Sequence, residues 1–184
     1  MLGVGDRRFV PAPTDIAVRF VRLVASGELA THVAVTLWRV FAGFFIGAVP
    51  AIAVGLLMAM FRPVRIFIDP LIAALFPIPK IALLPLLILW LGIGEASKVA
   101  VIALGVFFPM AINTYTGVRQ ADALLIRAAV SFGAGRWSVI RKVILPSALP
   151  MVFAGLKLGA GTALLLLVAA EMIAVESGIG FLVL

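Results

Sequence analysis

Lys80 and Lys157 are the ionisable side chains that stand inside long apolar stretches of this sequence. An ionisable group in such surroundings is costly and is usually kept for a function, such as proton transfer or contact with a charged solute. Neither lysine has an evident acidic partner, and most of the eight acidic residues lie at the ends of apolar runs. Acid–base catalysis within the apolar part of the protein is therefore a weak hypothesis.

Motifs for other chemistries are absent from the sequence. It contains no G-x-x-x-x-G-K-[ST] phosphate loop, no H-E-x-x-H and no G-x-S-x-G, and the glycines of FGAGR (132–136) lack the following lysine and hydroxyl. There is no cysteine, and we interpret the single histidine, His32, as an interfacial residue. We predict no catalytic residue, no metal site and no cofactor.

The composition is typical of a membrane protein. The chain is 64% hydrophobic and 12% charged, with a mean hydropathy of +1.25, whereas soluble domains carry about 25% charged residues. Residues 40–61 and 99–118 contain no charge. Each run is about 20 residues long, enough for a helix to cross about 30 Å of hydrocarbon. The alternative is a pair of buried helices in a globular core, but the sequence favours an all-α integral membrane protein.

The chain divides into two predicted parts. Residues 1–30 are the least apolar and are predicted to form an extramembrane or interfacial segment with a short amphipathic helix. Residues 31–184 are predicted to form a transmembrane domain with about four complete spans (37–60, 66–91, 99–118 and 149–173) and the start of a fifth at 181–184. We expect Lys157 to lie near enough to the cytoplasmic end of its span for its stem to snorkel to the surface.

The first span carries two further signals. Gly43, Gly47 and Gly55 lie near one face of the helix, and small residues at such spacing let a second helix approach closely. Pro50 stands in mid-span and predicts a kink or local unwinding.

The basic residues predict which side of the membrane each turn faces. Arg62, Arg65 and the basic stretch 119–142 fall on one side, whereas the turn 92–98 has no net charge. By the positive-inside rule the basic side is cytoplasmic. The arginines before residue 30 would then lie outside, in conflict with that rule. We interpret the net charge of +7 as a topology signal, and predict no nucleic-acid partner.

Residues 66–91 are interrupted by Pro70, Pro77, Pro79 and Pro85, with Lys80 among them. A proline removes a backbone donor and clashes with the carbonyl four residues earlier, so a straight helix is not expected. Irregular backbone at membrane depth is tolerated where protein buries it or where it lines a cavity. We therefore predict that Pro77, Pro79, Lys80 and Pro85 line a translocation path. The alternative is a kinked helix pair that only packs.

The basic stretch has a recognisable pattern. Arg127-Ala128-Ala129, then Gly133 and then Leu145-Pro146 have the spacing of the E-A-A…G…L-P loop, and Val143 fills its aliphatic position. The chain thus resembles ABC transporter permeases of the binding-protein-dependent importer family. Arg127 departs from the glutamate usual in that family. Residues 69–119 and 155–184, and GDRRFVPAPTDI near the start, resemble the nitrate, sulfonate and taurine group.

The resemblance implies a type I ABC importer-like transmembrane helix bundle in the bacterial inner membrane. It implies ABC ATPase subunits, a periplasmic or lipoprotein solute-binding protein, a second permease copy and membrane lipid as partners, and a small anion such as nitrate, sulfonate or taurine as the solute. Relative to the six-span family pattern, the first and last spans are expected to be missing. The alternative function is accordingly a truncated non-functional or regulatory remnant.

Residues 119–148 correspond to the family's coupling loop, through which an ATPase drives the spans. The resemblance assigns ATPase coupling to Arg127, Ala128, Ala129, Gly133, Ala134, Gly135 and Pro146. From the residues alone, 121–135 is predicted to form one or two short helices along the membrane surface, and Gly133 to end the first of them in the left-handed conformation. Pro146 and Pro150 are predicted to start the last span.

Overall fold

The computed structural model describes residues 13–173, 178–180 and 182, which are helical with short connections and contain no strand. This confirms the all-α prediction. The helices are α1 (Pro13–Ala25), α2 (Glu28–Met60), α3 (Arg62–Leu75), α4 (Leu84–Leu91), α5 (Glu95–Arg119), α6 (Ala123–Ser131), α7 (Arg136–Val139) and α8 (Leu145–Ile173). A 3-10 turn (Lys80–Leu83) precedes α4, and a π turn (Ile140–Ile144) joins α7 to α8. The described part of the predicted interfacial segment contains α1; residues 1–12 lie outside the description.

Three helical stretches are long and apolar enough to cross a membrane: Glu28–Met60, Glu95–Arg119 and Arg136–Ile173. A fourth crossing is made if α3 and the Lys80–Leu91 stretch, which meet at 90°, count as one broken span. This agrees with the prediction of about four spans, one of them interrupted. The predicted start of a fifth span falls almost wholly outside the described residues.

The bundle is built on α2, α5 and α8, which approach closely at glycines. A Cβ atom on Gly43 would lie 2.7 Å from Cβ of Ile102, and one on Gly55 would lie 2.7 Å from the Ala111 carbonyl oxygen. At Gly47 a Cβ would overlap the backbone of Ala103. These contacts confirm that the glycines of α2 allow a second helix to pack against its backbone.

Replacing Gly47 by alanine is expected to destabilise the bundle, because the new methyl group meets the α5 backbone, which cannot rotate away. Overpacking of this kind costs about 1–3 kcal/mol. Gly161→Ala on α8 is the matched control, since no atom lies within 4 Å of its Cβ position and both changes gain the same helix propensity. Thermal unfolding of the detergent-solubilised protein measures the difference. Equal melting temperatures for the two variants would contradict the close approach at Gly47.

Two expectations about proline are met only in part. α2 continues as a helix through Pro50, so the chain is not locally unwound there. Pro146 lies in the first turn of α8, as predicted, but this turn continues a helical path that runs unbroken from Arg136. The π turn accounts for this: the Leu145 N–H donates to the Ile140 carbonyl, five residues back. The wider turn accommodates the Pro146 ring, which would clash with a carbonyl in a normal α-helical turn.

Candidate functional site

Helix α6 lies at the end of the bundle where α2 and α5 finish and α8 is entered. Its first turn is capped by Asp122, whose carboxylate accepts a 2.7 Å hydrogen bond from the Leu124 N–H. Its last turn ends at Gly133, which has a φ of 81°. The Gly133 N–H donates to the Val130 carbonyl at 2.9 Å. The prediction that Gly133 ends this helix in the left-handed conformation is confirmed.

The surface of this segment is apolar and open. Among the residues predicted to couple, Arg127, Ala128, Gly133, Gly135 and Pro146 are exposed, while Ala129 and Ala134 are half-buried. The Arg127 side chain makes no hydrogen bond or ion pair with any described residue. Leu124, Phe132 and Trp137 are 71%, 91% and 69% exposed. Large side chains this exposed form a patch suited to contact with another protein.

The space behind α6 is not filled by the described chain. A cavity of about 580 Å³ separates α6 from the ends of α2 and α5, and it is lined by apolar side chains together with Arg119 and Arg136. The helix is therefore attached mainly through its two ends, and it stands out from the bundle as a raised element.

The break between α3 and α4 confirms that residues 66–91 do not form a straight helix. Pro77 and Pro79 lie in the turn between the two helices, whereas Pro70 lies inside α3 and Pro85 is at the start of α4. A cavity of about 430 Å³ opens beside the turn, and Pro77, Pro79 and Lys80 are among the residues lining it. Pro85 is not among them.

Lys80 holds this turn in place. Its ammonium nitrogen lies 2.7 Å from the Ile78 carbonyl oxygen and 3.0 Å from those of Leu75 and Phe76. It also lies 4.5 Å from the centre of the Phe108 ring. All three ammonium donors are thus used on carbonyls at the end of α3, where a positive charge also complements the helix dipole.

Replacing Lys80 by methionine is expected to destabilise the turn, because the apolar stem is kept but three carbonyls lose a charged donor. Hydrogen bonds to a charged group contribute about 1.5–3 kcal/mol. Lys142→Met is the control, since the Lys142 side chain is exposed and bonds to no described residue. Survival of folded protein after heating, followed by size-exclusion chromatography, measures the effect. A Lys80→Met variant as heat-resistant as Lys142→Met would show that the bonds from the Lys80 ammonium group are not needed to stabilise the turn.

At the end of the bundle opposite α6, the Arg39 side chain of α2 bonds to residues of α5 and α8. No local sequence signal predicted this contact. The Nε and Nη2 atoms of Arg39 lie 2.6 and 2.5 Å from the two carboxylate oxygens of Glu95 at the start of α5. Its Nη1 atom lies 2.7 Å from Oε1 of Glu171 near the end of α8. The side chains of Arg39 and Glu171 are fully buried, whereas that of Glu95 is 53% exposed.

The turn after α8 closes over this cluster. The Gly180 N–H donates to Oε2 of Glu171 at 2.9 Å, and the Ile179 N–H donates to the Thr36 hydroxyl at 3.0 Å. The Gly178 N–H donates to Nδ1 of His32 at 3.0 Å. His32 is therefore half-buried and bonded to the chain, a contact that no local sequence signal predicted. Because glutamate at a span end is usually solvated, nothing in the local sequence marked Glu171 as a buried partner.

The two ends of the bundle differ in the way the charge pattern predicts. Arg39 is near the start of α2, Glu95 begins α5 and Glu171 is near the end of α8, so the ionic cluster lies at one end. The other end carries α6 and the basic residues after α2 and α5. This arrangement agrees with a cytoplasmic α6 and an external Arg39 cluster.

Comparison with known proteins gives a consistent result. Residues 51–184 match the family described as binding-protein-dependent transport system inner membrane component. The chain is 39% identical over 183 residues to the putative aliphatic sulfonates transport permease protein of Bacillus subtilis (100% of this chain, 66% of the relative). It is 38% identical over 180 residues to the taurine transport system permease protein of Escherichia coli (95% and 66%).

A third relative broadens the range of named solutes. The riboflavin transport system permease protein of Chloroflexus aurantiacus is 37% identical over 174 residues (95% of this chain, 65% of the relative). The chain thus spans slightly less than two thirds of the length of each of these three relatives.

Proposed function

This chain belongs to the family of binding-protein-dependent transport system inner membrane components, and from that premise we propose that it is the permease subunit of an ATP-driven importer. Its apolar helices and family membership make it a multi-pass membrane protein. The transport domain is proposed to be residues 31–184, with the coupling loop at about 119–148. In this role the chain moves a solute across the membrane, and a separate subunit hydrolyses ATP.

The observation that carries the proposal is the form of α6. It is a short helix raised from the cytoplasmic end, with an open surface and an end defined by the Gly133 turn. A groove on an ATPase subunit can accept such an element, and movement of the groove is then passed to α5 and α8, which flank it in the chain. We assign this contact to Arg127, Ala128, Ala129, Gly133, Ala134, Gly135 and Pro146.

The proposed path for the solute runs beside the broken span. The cavity at Pro77, Pro79 and Lys80 lies where irregular backbone interrupts the membrane segment, and Pro85 starts the helix that follows. Since Lys80 is bonded to the turn, its role is to hold the shape of the path. A second copy of the permease completes the channel, and a solute-binding protein delivers the solute at the end marked by Arg39.

Small organic sulfonates are the proposed solutes. The relatives named for aliphatic sulfonates and for taurine support this choice, with 39% and 38% identity. Both solutes carry a sulfonate group on a short alkyl chain, which in taurine also bears an ammonium group, so they present the same anionic head to the path.

Purification in mild detergent tests the assembly. We expect this chain to be recovered together with an ATP-hydrolysing subunit, and the complex to take up radiolabelled taurine or butanesulfonate into proteoliposomes when ATP and the binding protein are supplied. Recovery of abundant, folded chain without an ATPase would contradict the proposed function. Uptake of a neutral solute but of neither sulfonate would leave the permease assignment standing and overturn the solute class.

A further inference from the structure

Lys157 stands near the middle of α8. It follows Lys142 by 15 residues and precedes Glu171 by 14, which is about 20 Å along the helix axis from either. This position differs from the place near the end of a span from which we expected snorkelling, because the helical path begins at Arg136. Lys157 lies about midway along the apolar stretch between Lys142 and Glu171.

The side chain points away from the bundle. Gly155, Gly159 and Ala163 are buried against the other helices, and Lys157 projects from the opposite side of α8, where it is exposed. Gly161 lies one turn further along on this same side, with no atom within 4 Å of its Cβ position. Leu164 continues the exposed face. An otherwise apolar and small-residue surface thus carries one cation at its centre.

No described residue forms a hydrogen bond or an ion pair with the Lys157 side chain. A lysine at the centre of a spanning helix is costly in lipid, and such residues nearly always face the protein interior or a water-filled cavity. Lipid is therefore a poor match for this face of α8. A cavity that holds water and anions satisfies the charge.

We propose that the translocation path extends from the cavity beside the broken span, whose wall includes the neighbouring Leu158, to Lys157. There Lys157 contacts the anionic head of the solute at mid-membrane, on a face that a second copy of the chain completes. This inference rests on the proposed function. A twofold axis along the membrane normal keeps each residue at its own depth, so the two copies place two lysines at the same level of the path. An ammonium group offers three charge-assisted donors to the oxygens of a sulfonate.

Lys80 is the other lysine beside the proposed path, and the two lysines differ in whether their donors are already used. The three donors of Lys80 are bonded to carbonyl oxygens of its own turn, which leaves none for a solute. Lys157 has its donors available among the described residues, and Gly161 leaves room beside it. The cation that meets the solute is accordingly Lys157.

Thiol labelling tests the exposure of this face to water. The chain has no cysteine, so Lys157→Cys introduces a single thiol in each copy of the permease. We expect it to react with the water-soluble anion methanethiosulfonate ethylsulfonate, and taurine-loaded binding protein with ATP to slow the reaction. Phe45→Cys, at an exposed apolar position of α2, is the control for a lipid-facing site. A Lys157→Cys variant that is as unreactive as Phe45→Cys until the protein is denatured would overturn the proposal.

Transport of a sulfonate tests the contact itself. In proteoliposomes of the assembled transporter, Lys157→Met is expected to lower taurine uptake per ATP hydrolysed by about tenfold or more, as for loss of a hydrogen bond to a charged group. Taurine-stimulated ATP hydrolysis should persist, and Lys157→Arg should retain most uptake. A merely structural lysine would change assembly and leave uptake per ATP unaltered.

Failure of the proposed function and failure of the Lys157 proposal give different results. If the unsubstituted transporter takes up no sulfonate, the proposed function is wrong in its solute. If it does so and Lys157→Met and Lys157→Gln transport equally well, only the role of Lys157 is wrong. Should Lys157→Met fail to assemble, Lys157→Gln and the labelling of Lys157→Cys decide the question.

Discussion

Replacing Arg39 by methionine will prevent the chain from folding stably, because the carboxylate of Glu171 would then be buried without its cation. Glu171 is fully buried and lies 2.7 Å from the Arg39 guanidinium. Removing one partner of a buried ion pair costs about 3–5 kcal/mol, a large part of the stability of a single domain. We expect little monodisperse protein after extraction in mild detergent, measured by size-exclusion chromatography.

Two further variants separate this effect from a simple loss of charge. Arg22→Met removes an exposed arginine side chain of α1 that bonds to no described residue, and it should behave as the unsubstituted chain does. The double variant Arg39→Met with Glu171→Leu should recover much of the loss, since apolar residues can replace a buried pair with little change in stability. If Arg39→Met alone were extracted and heat-resistant to the normal extent, the ionic cluster would not hold the three helices together.

The turn at Gly133 and the broken span could be predicted because both depend on local sequence. A glycine that follows a short helix can take positive φ at little cost, and it does so at 81°. Prolines two residues apart, Pro77 and Pro79, interrupt any helix, since neither can donate to the ladder. The number of spans likewise depends on the length of apolar runs.

The ionic cluster could not be predicted because it depends on tertiary contacts between distant segments. Arg39 and Glu171 are 132 residues apart in sequence, and each stands at the end of an apolar run. A charged residue there has the same sequence context whether it is solvated or paired across the bundle. Only the packing of α2 against α5 and α8 at their glycines brings these charged groups within bonding distance.

The effect of each proline on its helix was predicted only in part, for a related reason. Pro70 lies inside α3 and Pro50 inside α2, although each removes one backbone donor. Neighbouring helices and local adjustments can satisfy a single freed carbonyl in a membrane. At Pro146 the adjustment is the preceding π turn. Whether a proline breaks a span therefore depends on its surroundings as well as on the residue itself.

The conformation of Gly133, more than the bulk of any side chain there, is expected to determine coupling. No atom lies within 4 Å of a Cβ on Gly133, so a larger residue is not excluded by packing. Its φ of 81° is the obstacle, since the left-handed conformation costs an ordinary residue about 1–2 kcal/mol and a β-branched one more. Gly133→Val should therefore change the backbone conformation at the end of α6 while the spans remain folded.

We expect Gly133→Val to abolish taurine-stimulated ATP hydrolysis by the partner subunit, with normal insertion and normal recovery of the permease. Gly133→Asn should retain most of the stimulation, because asparagine tolerates the left-handed region. Gly135→Val adds the same bulk within the assigned contact without a backbone penalty, since its Cβ position is equally open and its φ of −67° suits any residue. It should therefore lower the stimulation less than Gly133→Val does. If both valine variants uncoupled and Gly133→Asn did so too, side-chain bulk in the ATPase groove would be the cause. Full stimulation in Gly133→Val would remove this turn from the coupling mechanism, because its left-handed conformation would then be unnecessary for transmitting motion from the ATPase.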